Sequence, residues 1–280
     1  MALLARGGFL PVITPALMGV GFILTGWFVD PLFGIAPGLG IFMLMISAFF
    51  ANFWRDPDRP IPKGKGLVVS PADGHVMFVK RERATGRRPS KDELDGSEED
   101  EFTGTWYPEP CENPLLFTTE QRFEAVPEGE ESDTDVWRTA VFMSPLDVHV
   151  NRAPIASNIT RMEHRTGKGR RRGPFLPAFR KESEFNERVR TLFEREDGLI
   201  VEVMQISGAL ARTIIPWKSE GETLRRGERF GMIRLGSRVD VRVPANRFKP
   251  CVISAEDGDK NHPKGEFVKA GMTVLYEELN

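Results

Sequence analysis

Two long apolar stretches open the chain, and everything after them is cut into short apolar runs by glycine, proline and charge. Residues 7 to 54 carry a single charged side chain, Asp30. Phe9 to Val29 and Leu32 to Trp54 each reach the length of about 20 residues that a helix needs to cross a bilayer. Asp30-Pro31, with Gly34, Pro37 and Gly38 close behind, predicts a break between two helices. Pro11, Pro15 and several glycines weaken the first helix in water, but membrane helices tolerate both residue types. The pattern predicts an N-terminal hydrophobic helical hairpin over residues 1–60, associated with a membrane. A hairpin buried in a soluble protein is the alternative. A cleaved signal peptide would have a shorter apolar core followed by a small-residue cleavage site, whereas here a second apolar run follows. Arg6 precedes the hairpin and Arg55, Arg59, Lys63 and Lys65 follow it, which places both ends on the cytoplasmic face. Phe49, Phe50, Phe53 and Trp54 fall at the exit interface.

Beyond Leu67 the period changes. Leu67 to Val69, His75 to Val79, Thr139 to Met143, Leu199 to Val203, Ala211 to Ile215, Phe230 to Leu235 and Val239 to Val243 read as strands. In the last, Val239, Val241 and Val243 alternate with Asp240 and Arg242. No long amphipathic helix stands out. These runs predict a β-rich (α+β) domain, sandwich- or barrel-like, over residues 61–280. Residues 81 to 135 interrupt it with a polar segment centred on Asp92, Glu93, Asp95, Glu98, Glu99, Asp100 and Glu101, which reads as a solvated insertion. A second interruption, Arg165 to Arg172 with Gly173-Pro174-Phe175-Leu176-Pro177 behind it, is either a loop touching anionic headgroups or a flexible basic loop without special role.

Composition narrows the function. A formal net charge of −2 gives no case for nucleic-acid binding. Cys111 and Cys251 show no CxxC spacing, and His75, His149, His164 and His262 are not paired at helical metal-binding spacing, so no metal is expected. Candidate chemistry lies in three stretches: Ser70-Pro71-Ala72-Asp73-Gly74, Ser144-Pro145-Leu146-Asp147-Val148-His149-Val150-Asn151-Arg152, and Gly231-Met232-Ile233-Arg234-Leu235-Gly236-Ser237-Arg238-Val239. An acid, a histidine and a serine form charge relays in any chain order. Asp73, His149 and Ser237 are thus compatible with a membrane-anchored serine hydrolase, although no GxSxG turn surrounds Ser237. A tethered, non-enzymatic β domain with Gly236-Ser237 as an ordinary turn is a third reading.

Together the stretches resemble the phosphatidylserine decarboxylase family in its short, membrane-associated form. The resemblance runs from about Phe49 to Pro244, through Phe53-Trp54-Arg55-Asp56-Pro57, the Asp73 and His149 stretches, Asn186-Glu187-Arg188, Gly227-Glu228-Arg229-Phe230-Gly231 and the Gly236-Ser237 pair. Several ordered motifs are more specific than one. The resemblance implies a proenzyme. Ser237 Oγ would attack the carbonyl carbon of Gly236, elimination of the resulting ester would free a Gly236 carboxylate, and loss of ammonia would leave Ser237 as a covalent pyruvoyl group. The products would be a heterodimer of a large chain 1–236 and a small chain 237–280, with a higher oligomer left open. The pyruvoyl ketone would form a Schiff base with the amine of phosphatidylserine and accept the electrons left when CO2 departs, the role another cofactor plays elsewhere, giving phosphatidylethanolamine. His149 has an unperturbed pKa suited to a base, and Asp73 is the family-matched acid to orient it, with Asp147 a second candidate. Longer family members carry a second histidine where this chain has Arg152, so either His149 serves both the cleavage and the decarboxylation or the base is another group.

Overall fold

The computed structural model describes residues 4–29, 34–85, 115, 123–165, 186–208, 213–234, 236–254 and 265–279. The acidic cluster between Asp92 and Glu101 and the basic run from Lys168 to Arg172 lie outside the described residues. The chain divides into two units, one of Met1–Asp58 with Pro145–His149, the other of Arg59–Ser144 with Val150–Asn280.

In the smaller unit the apolar stretches form α1 (Phe9–Phe28) and α2 (Ile35–Phe53), with a mean hydropathy of 1.8 for each. Both are long and apolar enough to cross a membrane. Their contact is built from small residues. A methyl group on Gly19 would lie 2.8 Å from the Gly40 carbonyl oxygen, and one on Gly26 would lie 2.4 Å from the Pro37 ring. Ser47 Oγ donates to the Val12 carbonyl at 2.7 Å. Close backbone approach and buried hydroxyl bonds are how helices associate in lipid, where burying apolar surface between them gains nothing. Phe9, Leu17, Trp27, Phe28, Phe42 and Met45 point outward and are exposed.

The larger unit is antiparallel throughout the pairings described. Its strands are β1 (Leu67–Val69), β2 (Gly74–Ala84), β3 (Phe123–Ala125), β4 (Val136–Met143), β5 (Val150–Arg152), β6 (Ser157–Arg165), β7 (Arg188–Glu194) and β8 (Ile200–Ile206). They continue with β9 (Ile214–Pro216), β10 (Thr223–Leu224), β11 (Arg229–Ile233), β12 (Ser237–Pro244), β13 (Phe248–Pro250), β14 (Phe267–Val268) and β15 (Val274–Glu278). The main sheet runs β10-β6-β7-β8-β12-β4-β2-β14, with β3 also on β2; β1-β15-β13 and β5-β11-β9 form two smaller sheets. The expected β-rich architecture behind an apolar hairpin is what the structure has.

The two faces of the main sheet differ. Val239, Val241 and Val243 of β12 join Val141, Val201, Val203, Phe193, Phe230 and Tyr276 in the apolar core, where the Phe193 and Phe230 rings meet edge-on at 5.2 Å. The opposite face is ionic yet also buried. Arg138 donates to Asp240 at 2.8 and 2.5 Å and to Glu82 at 3.1 Å. Arg238 reaches Asp240 at 2.6 Å, Arg190 reaches Glu202 at 2.5 Å, and Arg242 also bonds Glu202. The Arg138 and Arg238 guanidinium groups lie 5.3 and 5.1 Å from the Phe78 ring. This face explains why β7 escapes the sequence reading. In β7 the second row holds Arg188 and Arg190, so the polar alternation that marks a solvated face there marks a buried one, while β6 carries exposed Asn158, Thr160 and His164 among few apolar residues.

The insertion expected from residue 81 needs correction at its ends. β2 continues to Ala84, and Leu115 is fully buried against Val136, Leu192 and Ile200, its carbonyl accepting from Arg190 at 2.7 Å. Part of this polar segment therefore contributes to the fold.

Burial alone would raise the pKa of Asp240, but the charges of Arg138 and Arg238 override it and hold it at about 2, against an ordinary 3.8. A depressed carboxylate stabilises the fold above its ordinary pKa and ceases to as pH falls through the folded value. The full chain in detergent should therefore lose stability between about pH 4 and 2. Asp240→Asn should remove that limb and cost about 3–5 kcal/mol at neutral pH, since it strips the charge from a buried pair; denaturant melts across pH test both.

Candidate active site

Ser237 opens β12 and is fully buried. The ladder places it opposite Met143 of β4, and its hydroxyl donates to Met143 Sδ at 3.2 Å, a weak acceptor. On the other side of β12, Arg238 pairs with Ile206, so Ser207 lies one step further along that ladder. Asn151 of β5 approaches Met143 Sδ with Nδ2 at 4.0 Å and accepts from Gln205 Nε2 at 2.7 Å. Gln205 Oε1 and Ser207 Oγ are buried and find no hydrogen-bond partner among the described residues. Unsatisfied polar atoms in a buried place are expensive.

The residue before Ser237 is set apart by its backbone. Gly236 has φ +64°, and a methyl group built on it would meet nothing within 4 Å. Glycine is required there by the left-handed conformation and not by space.

Asp73 lies in the same unit as Ser237. Its carboxylate takes two bonds from Arg59, one of them from Nη2 at 2.7 Å, and a third from the Ala270 amide at 2.7 Å. Arg59 Nη1 also donates to the Ala270 carbonyl at 3.1 Å. Arg152, three residues after His149, is buried with Nη1 on the Gly227 carbonyl at 3.1 Å.

His149 belongs to the smaller unit and is fully buried. Its Nδ1 lies 2.8 Å from the main-chain carbonyl of Asp147. A carbonyl only accepts, so Nδ1 carries the proton, and in the neutral ring Nε2 keeps the lone pair a base needs. The Phe53 ring packs against the imidazole, centroids 4.3 Å apart.

The family model described as phosphatidylserine decarboxylase matches residues 46–276. The chain belongs to the phosphatidylserine decarboxylase family. A protein named phosphatidylserine decarboxylase proenzyme from Thermobifida fusca is 49% identical over 85% of this chain and 77% of its own length. One of the same name from Streptomyces coelicolor is 37% identical over 75% and 70%. A putative archaetidylserine decarboxylase proenzyme from Methanopyrus kandleri is 32% identical over 98% of both chains. The family match runs beyond Pro244, where the motif resemblance ended, and takes in β13, β14 and most of β15.

Within this phosphatidylserine decarboxylase family member, sequence reading missed the parts Met143, Gln205 and Ser207 play beside Ser237, because only strand register brings them there. Arg59 was legible as a charge flanking the hairpin, not as the partner of Asp73. Gly236→Ala would force a β-carbon into a backbone region that costs L residues about 1–2 kcal/mol. That strain lowers the stability of the folded chain by the same amount, which a denaturant melt of the full-length protein would record.

Proposed function

We propose that this chain is a self-cleaving proenzyme which, once cut between Gly236 and Ser237, decarboxylates phosphatidylserine to phosphatidylethanolamine at the cytoplasmic face of a membrane. The observation that carries the reading is a buried serine opening a central strand directly after a left-handed glycine, in a chain that belongs to this family. The apolar hairpin, flanked by Arg6 on one side and by Arg55, Arg59, Lys63 and Lys65 on the other, supports the membrane location.

Ser237 Oγ attacks the Gly236 carbonyl carbon while its proton passes to a base, for which we assign His149. The Nδ1–H bond to the Asp147 carbonyl leaves Nε2 to accept it, and removing the hydroxyl proton is what turns serine into a nucleophile. The adduct collapses with cleavage of the Gly236–Ser237 C–N bond, the freed Ser237 nitrogen taking up a proton, to leave Gly236 esterified to Ser237 Oγ. Loss of the Ser237 α-proton then expels the Gly236 carboxylate, and water replaces the nitrogen of the resulting dehydroalanine, releasing ammonia. Asp73 is assigned as the acid of the set, with Arg59 and the Ala270 amide fixing its carboxylate. Ser237 suits the pyruvoyl group that results. It is buried, and the β12 ladder to β4 and β8 holds it without the bond to Gly236. The pyruvoyl ketone supplies the electron sink for the carbanion formed as CO2 leaves, which no ordinary side chain offers. After cleavage His149 returns a proton to the carbon that has lost CO2. The new chains, 1–236 and 237–280, stay associated.

Purified protein should run as two bands on a denaturing gel, and the intact mass of the small one should match residues 237–280 with a pyruvoyl N-terminus that Edman chemistry does not read. Ser237→Ala should give one uncut, inactive band. An active chain with the 236–237 bond whole and an ordinary serine beside it overturns the proposal.

A further inference from the structure

The loop that carries His149 is grouped with the helical hairpin, not with the sheets. Its fastening is specific. Where α2 ends, Arg55 Nη1 donates to the Asn52 carbonyl at 2.7 Å and to Asn52 Oδ1 at 2.5 Å, while Nη2 donates to the Leu146 carbonyl at 2.7 Å. Asn52 Nδ2 adds a longer bond to the same Leu146 carbonyl, 3.4 Å. Next to them Phe53, 2% exposed, lays its ring on the His149 imidazole at 4.3 Å, tilted by 42°. The chain's first residues brace this exit: the Ala5 amide donates to the Trp54 carbonyl at 2.7 Å. A planar guanidinium makes several bonds in one fixed fork, and two rings in contact attract one another beyond the area they bury and favour particular orientations. Asn52, Phe53 and Arg55 thus hold the backbone at Leu146 and the side chain at His149 from a single turn of chain.

We propose that Asn52, Phe53 and Arg55 form a clamp at the end of the hairpin whose task is to position His149, so that the hairpin is part of the proton-transfer apparatus as well as a membrane attachment. The inference rests on the assignment of His149 as the base. Proton transfer depends on geometry, and a displacement of about 1 Å costs up to about a hundredfold in rate. Attachment to lipid draws instead on the exposed apolar faces of α1 and α2, which these three side chains do not supply. The two roles therefore separate by mutation.

The full chain is the material for the test, with Phe53→Leu, Arg55→Met, the milder Asn52→Ala, the conservative Arg55→Lys, and His149→Gln as the control on the base. Three quantities are read: the rate at which the two chains appear, kcat and KM of the cleaved enzyme on phosphatidylserine in mixed micelles, and flotation with anionic vesicles. Phe53→Leu and Arg55→Met should slow cleavage about tenfold to a hundredfold and lower kcat with little change in KM. Flotation should match the parent. Asn52→Ala should show a smaller loss in the same direction, and Arg55→Lys should recover part of the Arg55→Met deficit. If these variants cleave and turn over at the parent rate, or if their loss follows lost flotation, the clamp is refuted. Should an aggregating Phe53→Leu leave the question to Asn52→Ala, parental cleavage by that variant refutes it equally. Cleavage and full activity in His149→Gln would instead bring down the assignment of the base, and the clamp with it.

Discussion

The larger unit depends on β12 being held along both edges and both faces. β4 and β8 pair with it on either side, valines pack beneath it, and Arg238, Asp240 and Arg242 are buried above it. A strand gripped in this way keeps its first residue in place without help from the peptide bond that precedes it. That property is what a serine must have if it is to lose the bond to Gly236 and remain where chemistry needs it. The left-handed Gly236 fits the same logic. The strand begins at Ser237, and the residue before it adopts a conformation that glycine takes without strain.

The ionic face is the less obvious half of this arrangement. Buried charges are costly to desolvate, and apolar packing of equal volume often stabilises as much, so the arginine and carboxylate rows are not needed for stability alone. They do fix register. Sliding β12 by one residue against β4 would carry Arg238, Asp240 and Arg242 into the apolar core and set valines among the ion pairs, because strand side chains alternate with a period of two. The position of Ser237 opposite Met143 is thereby specified from both faces.

Much of this was legible from the chain. The hairpin was, because about 20 uninterrupted apolar residues have few other uses, and so was β12, whose valine alternation is regular. β6 and β7 were not, since a row of Arg188, Arg190 and Glu163 looks like a wet surface when its partners on other strands are unknown. Gly236 and Ser237 stood out through several ordered motifs, whereas Met143, Gln205 and Ser207 reach the same place only through the register of β4 and β8. The bond between Asn52 and Leu146 joins positions 94 residues apart, and no local pattern announces such a contact. Arg59 showed its charge in advance but not the carboxylate it would meet.

The last stretch of the chain is woven into what precedes it. β14 lies on β2 and β15 on β1, each element from beyond Ser237 pairing with one from far earlier. A polypeptide severed at Gly236 inherits this interlacing but not the tether that guided it. If the proposed cut is made, assembly has to come first and the break second, and the cut molecule, once unravelled, would leave two strangers in solution to rediscover pairings that were first made within one thread. Its endurance is then a matter of how slowly it comes apart, not of how readily it reforms.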